Sequence, residues 1–350
     1  MSDKIRFAII GCGQVGQTMG GTDVYNGIGE WHAHYLTELE DAELVAVADL
    51  KEENARALAE KFAVPSYYAD IQALLARDDL DVVNVCTPSG THGKIAVECA
   101  RAGKNVIVEK PMDIRPERCA EMIAAADAAG AKLSVIFPQR FKQGTRKVKE
   151  ALDAGALGKP LVGNALCRRY RTQSYYSESN WRGTWAGDGG GALMNQGIHV
   201  IDCFLHLMGE VASVAAHCGT LGHEGLEVED TAAAVLRFKS GAIGVIEGTT
   251  CAYPDFGDRL DIHAEKGSVV LEMGKLSRWE HMDEAHRFDP ATLTEATGEF
   301  IGHKFVFQDM IDAIREDRPP KVDGREGKRS VEVICAIYQS SQEGREVALA

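Results

Sequence analysis

The feature that most constrains the fold is the regular alternation of short apolar runs with helical patterns over residues 1–137. One run, DVVNVC at 81–86, has the continuous apolar character of a strand buried on both faces. Helical patterns at 52–62, 93–102 and 116–129 separate such runs. Strands that alternate with helices form a parallel sheet with right-handed crossovers. The sequence therefore predicts an α/β protein whose N-terminal part is a Rossmann-type, doubly wound parallel sheet.

A glycine motif ends the first apolar run. Residues 11–16 read GCGQVG, the GxGxxG outline of a dinucleotide-binding turn. In such a turn the first glycine permits the tight bend and the second lets the backbone approach a pyrophosphate. An acidic residue that binds the ribose normally follows by about 20 positions. Asp49 ends the second apolar run, but it stands 33 positions after Gly16.

The distance from the glycine motif to the acidic residue agrees with the usual spacing if the first helix begins later than Gly16. Residues 17–27 are rich in glycine and turn formers and have no helical period, whereas an amphipathic pattern starts directly after them. Gly29 lies 20 positions before Asp49. We therefore interpret part of 14–27 as an insertion and Gly29 as the helix-packing glycine, with Gly16 as the alternative. Asp49 has no arginine beside it and would repel a 2′-phosphate, which favours NAD over NADP.

Ligands of open parallel sheets bind beyond the carboxyl ends of the strands. Lys110 follows a strand there and is held by Pro111, so it can act as a proton donor or an oxyanion partner; an ordinary surface lysine is the alternative. The residues predicted to contact the cofactor are Gly11, Gly13, Gln14, Val15, Asp49, Thr87, Pro88, His92, Glu109, Lys110, Gln139 and Arg140.

A second glycine run, at 189–191, opens directly into a helical pattern. Apolar residues recur at helical spacing and predict one buried stripe: Met194, Ile198, Ile201, Leu205 and Met208. A polar row follows the same spacing one position over: Asn195, His199, Asp202 and His206. By itself this row is either a solvated face or a functional one.

Length and composition limit the classes of protein. At 350 residues the chain is long enough for two domains, which we predict at 1–137 and 138–350, with the last helix packing back on the first. Asp and Glu outnumber Lys and Arg by 52 to 38, and no basic run occurs, which argues against nucleic-acid and membrane partners. No signal peptide is visible, and scattered single cysteines are typical of the reducing cytoplasm.

The second half of the chain contains evenly spaced strand-like runs after residue 209, which predict an open, mostly antiparallel sheet. One face of such a sheet can pair with another subunit, so we expect a homodimer or homotetramer. His281 and His286 flank an acidic loop without converging ligands; we interpret both as exposed and predict no metal site. Tyr338 is expected to pack in the core.

Several of these features occur together in one known family. GxG near the N-terminus, GEWH at 29–32, TPSGTH at 87–92, EKP at 109–111 and GGGALMNQGIHVID at 189–202 closely resemble the Gfo/Idh/MocA family of sugar and cyclitol oxidoreductases. The similarity covers nearly the whole chain. It implies an NAD-binding Rossmann domain, a second α+β domain with an open, mostly antiparallel sheet, and a substrate cleft lined by Lys110 and His199 as catalytic residues.

The expected activity is hydride transfer between nicotinamide and a secondary hydroxyl of a sugar, a sugar derivative or a cyclitol. An NAD-dependent glycosidase and a non-catalytic sugar or dinucleotide sensor are the alternatives. The residues expected to contact the substrate are Asn195, Trp181, Arg182, Asp202 and Arg168. Two features depart from the family pattern: the insertion at 17–27, and Asn195, where inositol dehydrogenases often have an aspartate that can take a proton.

Overall fold

The structure is a computed structural model that describes residues 4–13, 17–19, 23–25, 27–294 and 300–349. The elements of the N-terminal part are β1 (Ile5–Ile10), β2 (Gln17–Met19), β3 (Asp23–Tyr25), α1 (Ile28–Thr37), β4 (Ala42–Ala48), α2 (Glu52–Phe62), β5 (Tyr67–Tyr68), α3 (Ile71–Leu75), β6 (Val82–Val85), α4 (His92–Arg101), β7 (Asn105–Val108), α5 (Pro116–Ala129) and β8 (Leu133–Val135).

The elements that follow are α6 (Gln143–Asp153), β9 (Pro160–Arg168), α7 (Gln173–Ser177), a π-helix (Ala192–Gly197), α8 (Ile198–Met208), β10 (Val211–Gly219), β11 (Thr231–Phe238), β12 (Ile243–Thr249), β13 (Gly257–Ala264), β14 (Gly267–Glu272), β15 (Lys275–His281), α9 (Ile301–Arg315), α10 (Gly324–Glu343) and β16 (Val347–Ala348). Within the described ranges, no helix is both long enough and apolar enough to cross a membrane.

The chain forms two compact units, residues 1–136 with 298–328 and residues 137–297 with 329–350. The domains predicted from the sequence, 1–137 and 138–350, stay a prediction; they differ from these units at Phe137 and in residues 298–328, each of which belongs to the other unit. In the structure α9 packs against α1, and the ring of Phe300 lies 5.4 Å from that of Trp31. The apolar stripe of a helix shows that it is buried but not against which neighbour, so the pattern alone could not place this segment.

The first unit contains a six-stranded sheet in the order β5-β4-β1-β6-β7-β8. Every strand pair in it is parallel. All four residues of β6 are buried, as the apolar run predicts. The predicted Rossmann-type sheet is confirmed, and the carboxyl ends of β1, β4, β6 and β7 lie at one edge of it.

In the turn-rich segment after the glycine motif, the structure describes residues 17–19, 23–25 and 27. β2 and β3 form an antiparallel pair there, and α1 begins only at Ile28, as the pattern indicates. A Cβ atom on Gly29 would lie 2.3 Å from the carbonyl oxygen of Gly11. Only glycine allows this approach of helix to turn, so the interpretation of Gly29 as the helix-packing glycine is confirmed. Gly16 lies outside the described residues.

The second unit contains an eight-stranded sheet in the order β15-β14-β13-β9-β12-β11-β10-β16. Its pairs are antiparallel except for β9 with β12, which confirms the mostly antiparallel prediction. The sequence did not predict β15, and the expectation that His281 is exposed was wrong. His281 ends β15 on its buried face, with Nε2 2.9 Å from the carbonyl oxygen of Ala156. His286 is exposed, as predicted.

Candidate active site

The first two glycines of the motif after β1 have backbone conformations that favour glycine. Gly11 has φ of 96°, and a Cβ atom there would lie 2.7 Å from the carbonyl group of Cys86. Gly13 is also in the left-handed region, with φ of 63°. The conformation therefore favours glycine at both positions, and the close approach to Cys86 requires it at Gly11. Gln14 and Val15, predicted to contact the cofactor, lie outside the described residues.

Asp49 lies directly beside this turn. Its Oδ2 accepts hydrogen bonds from the backbone N–H groups of Cys12 (2.9 Å) and Gly13 (3.3 Å). Its Oδ1 accepts from the N–H of Lys51 at 2.9 Å and from the Asn54 amide at 3.3 Å. The carboxylate is thus fixed at the end of β4, where a ribose hydroxyl would meet it in a Rossmann unit.

The loops after β6 and β7 are joined through His92. Its Nδ1 lies 2.7 Å from the carbonyl oxygen of Pro111, and its Nε2 lies 2.7 Å from that of Thr87. Burial lowers the pKa of the ring, although both carbonyl groups favour its protonated form. Both ring nitrogens of His92 therefore face backbone, and the structure makes this residue a brace between two loops. Thr87 is half-buried and Pro88 is exposed.

Glu109 is the centre of a buried group that we call the Glu109 cluster (His32, Glu109 and His303). Its Oε1 lies 2.9 Å from Nε2 of His32 and 3.1 Å from Nε2 of His303. Burial opposes ionisation of Glu109, but the hydrogen bonds with His303 and His32 outweigh it and hold its pKa well below the usual range. Its Oε2 accepts the backbone N–H of Lys110 at 3.1 Å.

Lys110 is held by its neighbours in sequence. Its N–H donates to the carboxylate of Glu109, and the carbonyl oxygen of the next residue, Pro111, lies 2.7 Å from Nδ1 of His92. The backbone of Lys110 is thereby fixed on both sides, while its side chain is half-buried. A lysine fixed in this way at a strand end can present its ammonium group to a ligand without a large loss of conformational entropy.

In the second unit, His199 is the second residue of α8 and follows the π-helix directly. Its ring is half-buried and meets the ring of Phe137 edge to face, with the centroids 6.1 Å apart. The predicted apolar stripe from Met194 to Met208 is buried, as the spacing indicates. The polar row is not continuous, however, because the wider turn of a π-helix changes the spacing before Ile198.

Asn195 lies in that π-helix and bonds away from the predicted row. Its Nδ2 donates to Oδ1 of Asp188 at 2.6 Å, and its Oδ1 accepts from Nε2 of Gln196 at 2.8 Å. Asp188 is buried and also accepts the N–H of Gly183 at 3.1 Å. A carboxylate is therefore present next to position 195, supplied by Asp188 rather than by residue 195 itself. No sequence pattern indicates this partnership.

Asp202 forms a buried bidentate ion pair with Arg140. The guanidinium Nε and Nη2 donate to Oδ2 and Oδ1 of Asp202 at 2.8 and 2.7 Å. The side chains are 5% and 1% exposed, so neither charge is solvated. The sequence predicts that Arg140 contacts the cofactor and Asp202 the substrate. In the structure the two residues bind each other instead. Because Asp202 lies three residues after His199, the ion pair holds this part of α8 in place.

The second glycine run is held by Glu229, which the sequence did not single out. Its carboxylate accepts the N–H groups of Gly191 (2.8 Å) and Leu193 (2.9 Å) and the hydroxyl of Tyr338 (2.9 Å). Burial raises the pKa of Glu229 to about 7 against these hydrogen bonds. Tyr338 is buried, as predicted, and supplies one of the donors. Glu229 thus stabilises the turn from which the π-helix starts.

The remaining predicted residues of this unit are partly exposed. The guanidinium of Arg182 lies 5.2 Å from the ring of Trp181. Arg168 ends β9 and pairs with Glu247 of the neighbouring strand through two bonds of 2.7 and 2.8 Å. Gln139 donates to Asp258 at 3.4 Å. The predictions that these residues contact cofactor or substrate stay predictions.

Comparison with known proteins identifies the family. Residues 5–137 match the model of an oxidoreductase family with an NAD-binding Rossmann fold, and residues 145–270 match the Gfo/Idh/MocA C-terminal domain. The chain belongs to the Gfo/Idh/MocA family. The prediction made from the glycine motifs, EKP and the mid-chain helix is therefore confirmed, and with it the class of NAD-dependent oxidoreductases.

Family members with known names align over their full length. Myo-inositol 2-dehydrogenase of Thermotoga maritima is 30% identical over 99% of this chain and 98% of its own. D-glucoside 3-dehydrogenase of Escherichia coli is 33% identical over 99% and 98%. The crystal structure of the WlbA dehydrogenase from Bordetella pertussis with NADH and UDP-GlcNAcA superimposes with a TM-score of 0.86, at 32% identity over 99% of both chains.

Proposed function

We propose that this family member transfers a hydride between NAD and the carbon that bears a secondary hydroxyl group of a sugar, a sugar derivative or a cyclitol. The observation that carries the proposal is Lys110, fixed at a strand end of an NAD-binding Rossmann unit by Glu109 and by His92 through Pro111. The relatives named above act on an inositol and a glucoside, and one was crystallised with a nucleotide sugar. All three compounds carry ring hydroxyls.

The residues present fit the cofactor. A Cβ atom at Gly11 would collide with the carbonyl group of Cys86, so the position requires glycine. In a Rossmann unit, glycines in this turn allow the backbone to approach the pyrophosphate of the cofactor. Asp49 offers a carboxylate, which suits the free ribose hydroxyls of NAD better than the 2′-phosphate of NADP. We propose that Gly11, Gly13 and Asp49 hold the adenosine part, and that bound NAD supplies the hydride acceptor.

The chain itself must move the hydroxyl proton and stabilise charge on the substrate oxygen. We assign the first task to His199, because imidazole exchanges protons near neutral pH. The ammonium group of Lys110 stabilises the developing alkoxide. Asn195 and Trp181 orient the ring, and the bond between Asn195 and Asp188 keeps the amide oriented. The Arg140–Asp202 pair fixes the helix that carries His199.

Two substitutions test these roles. Sugars, sugar acids and inositols are first screened with NAD and NADP at the nicotinamide absorbance to find a substrate. Lys110→Ala and His199→Ala should then each lower kcat by about 10²- to 10⁴-fold, the usual contribution of a positioned acid or base. Lys94→Ala and His217→Ala, at exposed positions, are the matched controls. Undiminished NADH formation by either site variant contradicts the assignment, and cleavage of an aryl glycoside without accumulation of NADH supports the glycosidase alternative.

We also propose that the protein is a homodimer or homotetramer in the cytoplasm. On the eight-stranded sheet, exposed apolar side chains of neighbouring strands lie together, among them Val162 (42% exposed), Val235 (54%) and Ile243 (48%). An exposed apolar sheet face of this kind is typical of a subunit interface. Val235→Glu should lower the molar mass measured by light scattering, and an unchanged mass argues against this face. Buried thiols such as Cys167 and Cys203 are consistent with a reducing compartment.

A further inference from the structure

Two groups of possible metal ligands occur within the described residues, with ligand atoms within 4.8 Å of one another. One is the Glu109 cluster. There the Asn84 amide donates to Nδ1 of His32 at 3.0 Å, which leaves the ring proton on Nε2, so that this nitrogen donates to Glu109 and has no lone pair for a metal. The other group is the Asp230 cluster (His223, Asp230 and Cys251). Its carboxylate accepts the N–H groups of Gly222 (2.8 Å) and His223 (2.9 Å) on Oδ2 and that of Leu221 (2.8 Å) on Oδ1, which leaves a lone pair on Oδ1.

The Asp230 cluster brings together three atoms that each offer an electron pair. Nε2 of His223 donates to the carbonyl oxygen of Arg171 at 2.8 Å, so in the neutral ring the lone pair is on Nδ1. That Nδ1 lies 3.1 Å from Oδ2 of Asp230 and 3.6 Å from Sγ of Cys251. The side chains of His223 and Asp230 are 6% and 0% exposed. In the neutral ring the lone pairs of Nδ1 and of Asp230 Oδ2 face each other, so a proton or a metal ion must lie between these two atoms.

We propose that His223 Nδ1, a carboxylate oxygen of Asp230 and Cys251 Sγ bind a zinc-like divalent metal ion. Tetrahedral zinc with its usual bond lengths places a nitrogen and a sulfur ligand about 3.6 Å apart and a nitrogen and an oxygen ligand about 3.4 Å apart. The two distances in the structure, 3.6 and 3.1 Å, are close to these values. Sulfur, nitrogen and oxygen together select zinc over magnesium or calcium, which prefer oxygen ligands alone.

The surroundings of the cluster fit this role. A metal-binding histidine normally donates its second N–H to a carbonyl or carboxylate, as His223 does to Arg171. The backbone N–H groups of Leu221, Gly222 and His223 donate to the carboxylate of Asp230 at 2.8 to 2.9 Å and fix its position. A Cβ atom on Gly222 would lie 2.6 Å from the sulfur of Cys251, so glycine leaves room beside that ligand.

The ion would connect segments next to the candidate active site. Asp230 follows Glu229, which binds the glycine run, and the Arg171 side chain donates to Gln196 of the π-helix at 2.7 Å. Binding forms a metal–sulfur bond and releases the thiol proton of Cys251 to solvent, so the affinity falls as the pH decreases. Three protein ligands leave one coordination position for water. The ion would therefore link structural segments and still have one coordination position free for water.

Cobalt(II) is a suitable probe, because a bound thiolate gives it a charge-transfer absorption in the near ultraviolet. The full-length protein is treated with a chelator, freed of it, and titrated with Co²⁺ and then with Zn²⁺. We expect one equivalent of Co²⁺ to bind with this absorption, and Zn²⁺ to displace it. Zinc should also raise Tm, because a ligand that binds only the folded state stabilises it.

Variants identify the ligands. Cys251→Ser should abolish the charge-transfer absorption and weaken binding by more than the roughly 10- to 100-fold that follows loss of an outer-sphere partner. Cys218→Ser, at another partly buried cysteine of the same unit, is the matched control and should change neither. A Tm of metal-free Cys251→Ser equal to that of the metal-free native protein shows that the variant folds. The proposal is overturned if the native protein shows no such absorption, or if Cys251→Ser shows it equally; a protonated His223 paired with Asp230 is then the explanation of the cluster.

Discussion

The burial of Glu229 makes the stability of the second unit depend on pH. Its carboxylate is 4% exposed, and its pKa of about 7 lies above the 4.5 of an ordinary glutamate. Between these two values the folded state binds a proton that the unfolded state has lost. The contribution of Glu229 is therefore complete below pH 4.5 and is lost as the pH rises through 7. At 1.36 kcal/mol per pKa unit, the change amounts to about 3 kcal/mol.

Glu229→Gln tests this because glutamine stays neutral at every pH. The free energy of unfolding of both proteins is measured with urea from about pH 5 to pH 8.5. The variant loses an acceptor for one of the N–H groups of Gly191 and Leu193, which lowers its stability by about 1 to 3 kcal/mol at low pH. With rising pH the native protein should lose stability relative to the variant, by up to about 3 kcal/mol above pH 8.

The control is Glu60→Gln, which removes the same charge from the exposed face of α2. It should leave the dependence on pH unchanged. If the difference between native protein and Glu229→Gln stays constant over the whole range, the carboxylate of Glu229 is ionised throughout. The hydrogen bonds from the glycine run and Tyr338 would then outweigh its burial, and a raised pKa of Glu229 would be refuted.

Further substitutions test the packing of α1 against the glycine turn and the ion pair that holds α8. Gly29→Ala adds a Cβ atom 2.3 Å from the carbonyl oxygen of Gly11, so we expect α1 to shift. The affinity for NADH, measured by fluorescence, should then fall at least tenfold. An unchanged affinity would instead favour Gly16 as the helix-packing glycine. Asp202→Asn leaves the charge of Arg140 buried without its counterion and should cost about 3 to 5 kcal/mol in urea unfolding. The double variant Asp202→Leu with Arg140→Met should recover much of that loss, and a double variant less stable than Asp202→Asn would argue against the ion pair.

The parallel sheet and the cofactor turn could be predicted because their signals are local. Apolar runs and glycine spacing each extend over fewer than about 20 residues, and the distance from Gly29 to Asp49 was sufficient to choose the register. The same holds for the apolar stripe of α8. Such patterns follow from backbone geometry, which a short segment determines by itself.

The polar contacts could not be predicted, because their partners are distant in sequence. Glu109 is 77 residues from His32 and 194 from His303. No local pattern distinguishes a glutamate that holds two histidines from one that points to solvent. The same reason explains why Glu229 was missed, and why Arg140 and Asp202 were assigned to ligands rather than to each other. A charged residue in a motif indicates a site, but only the folded structure shows which residue it pairs with.

The π-helix before His199 separates the position of Asn195 from that of His199, so that one can change while the other stays. A π-helical turn holds one residue more than an α-helical turn. Deletion of one residue within Ala192–Gly197 would restore an unbroken α-helix and turn the residues ahead of it by about 100° relative to α8. Asn195 would then face elsewhere, while His199 and the Arg140–Asp202 pair would stay in place. We expect single-residue insertions and deletions at this point to be a route by which relatives acquire new substrates around an unchanged histidine.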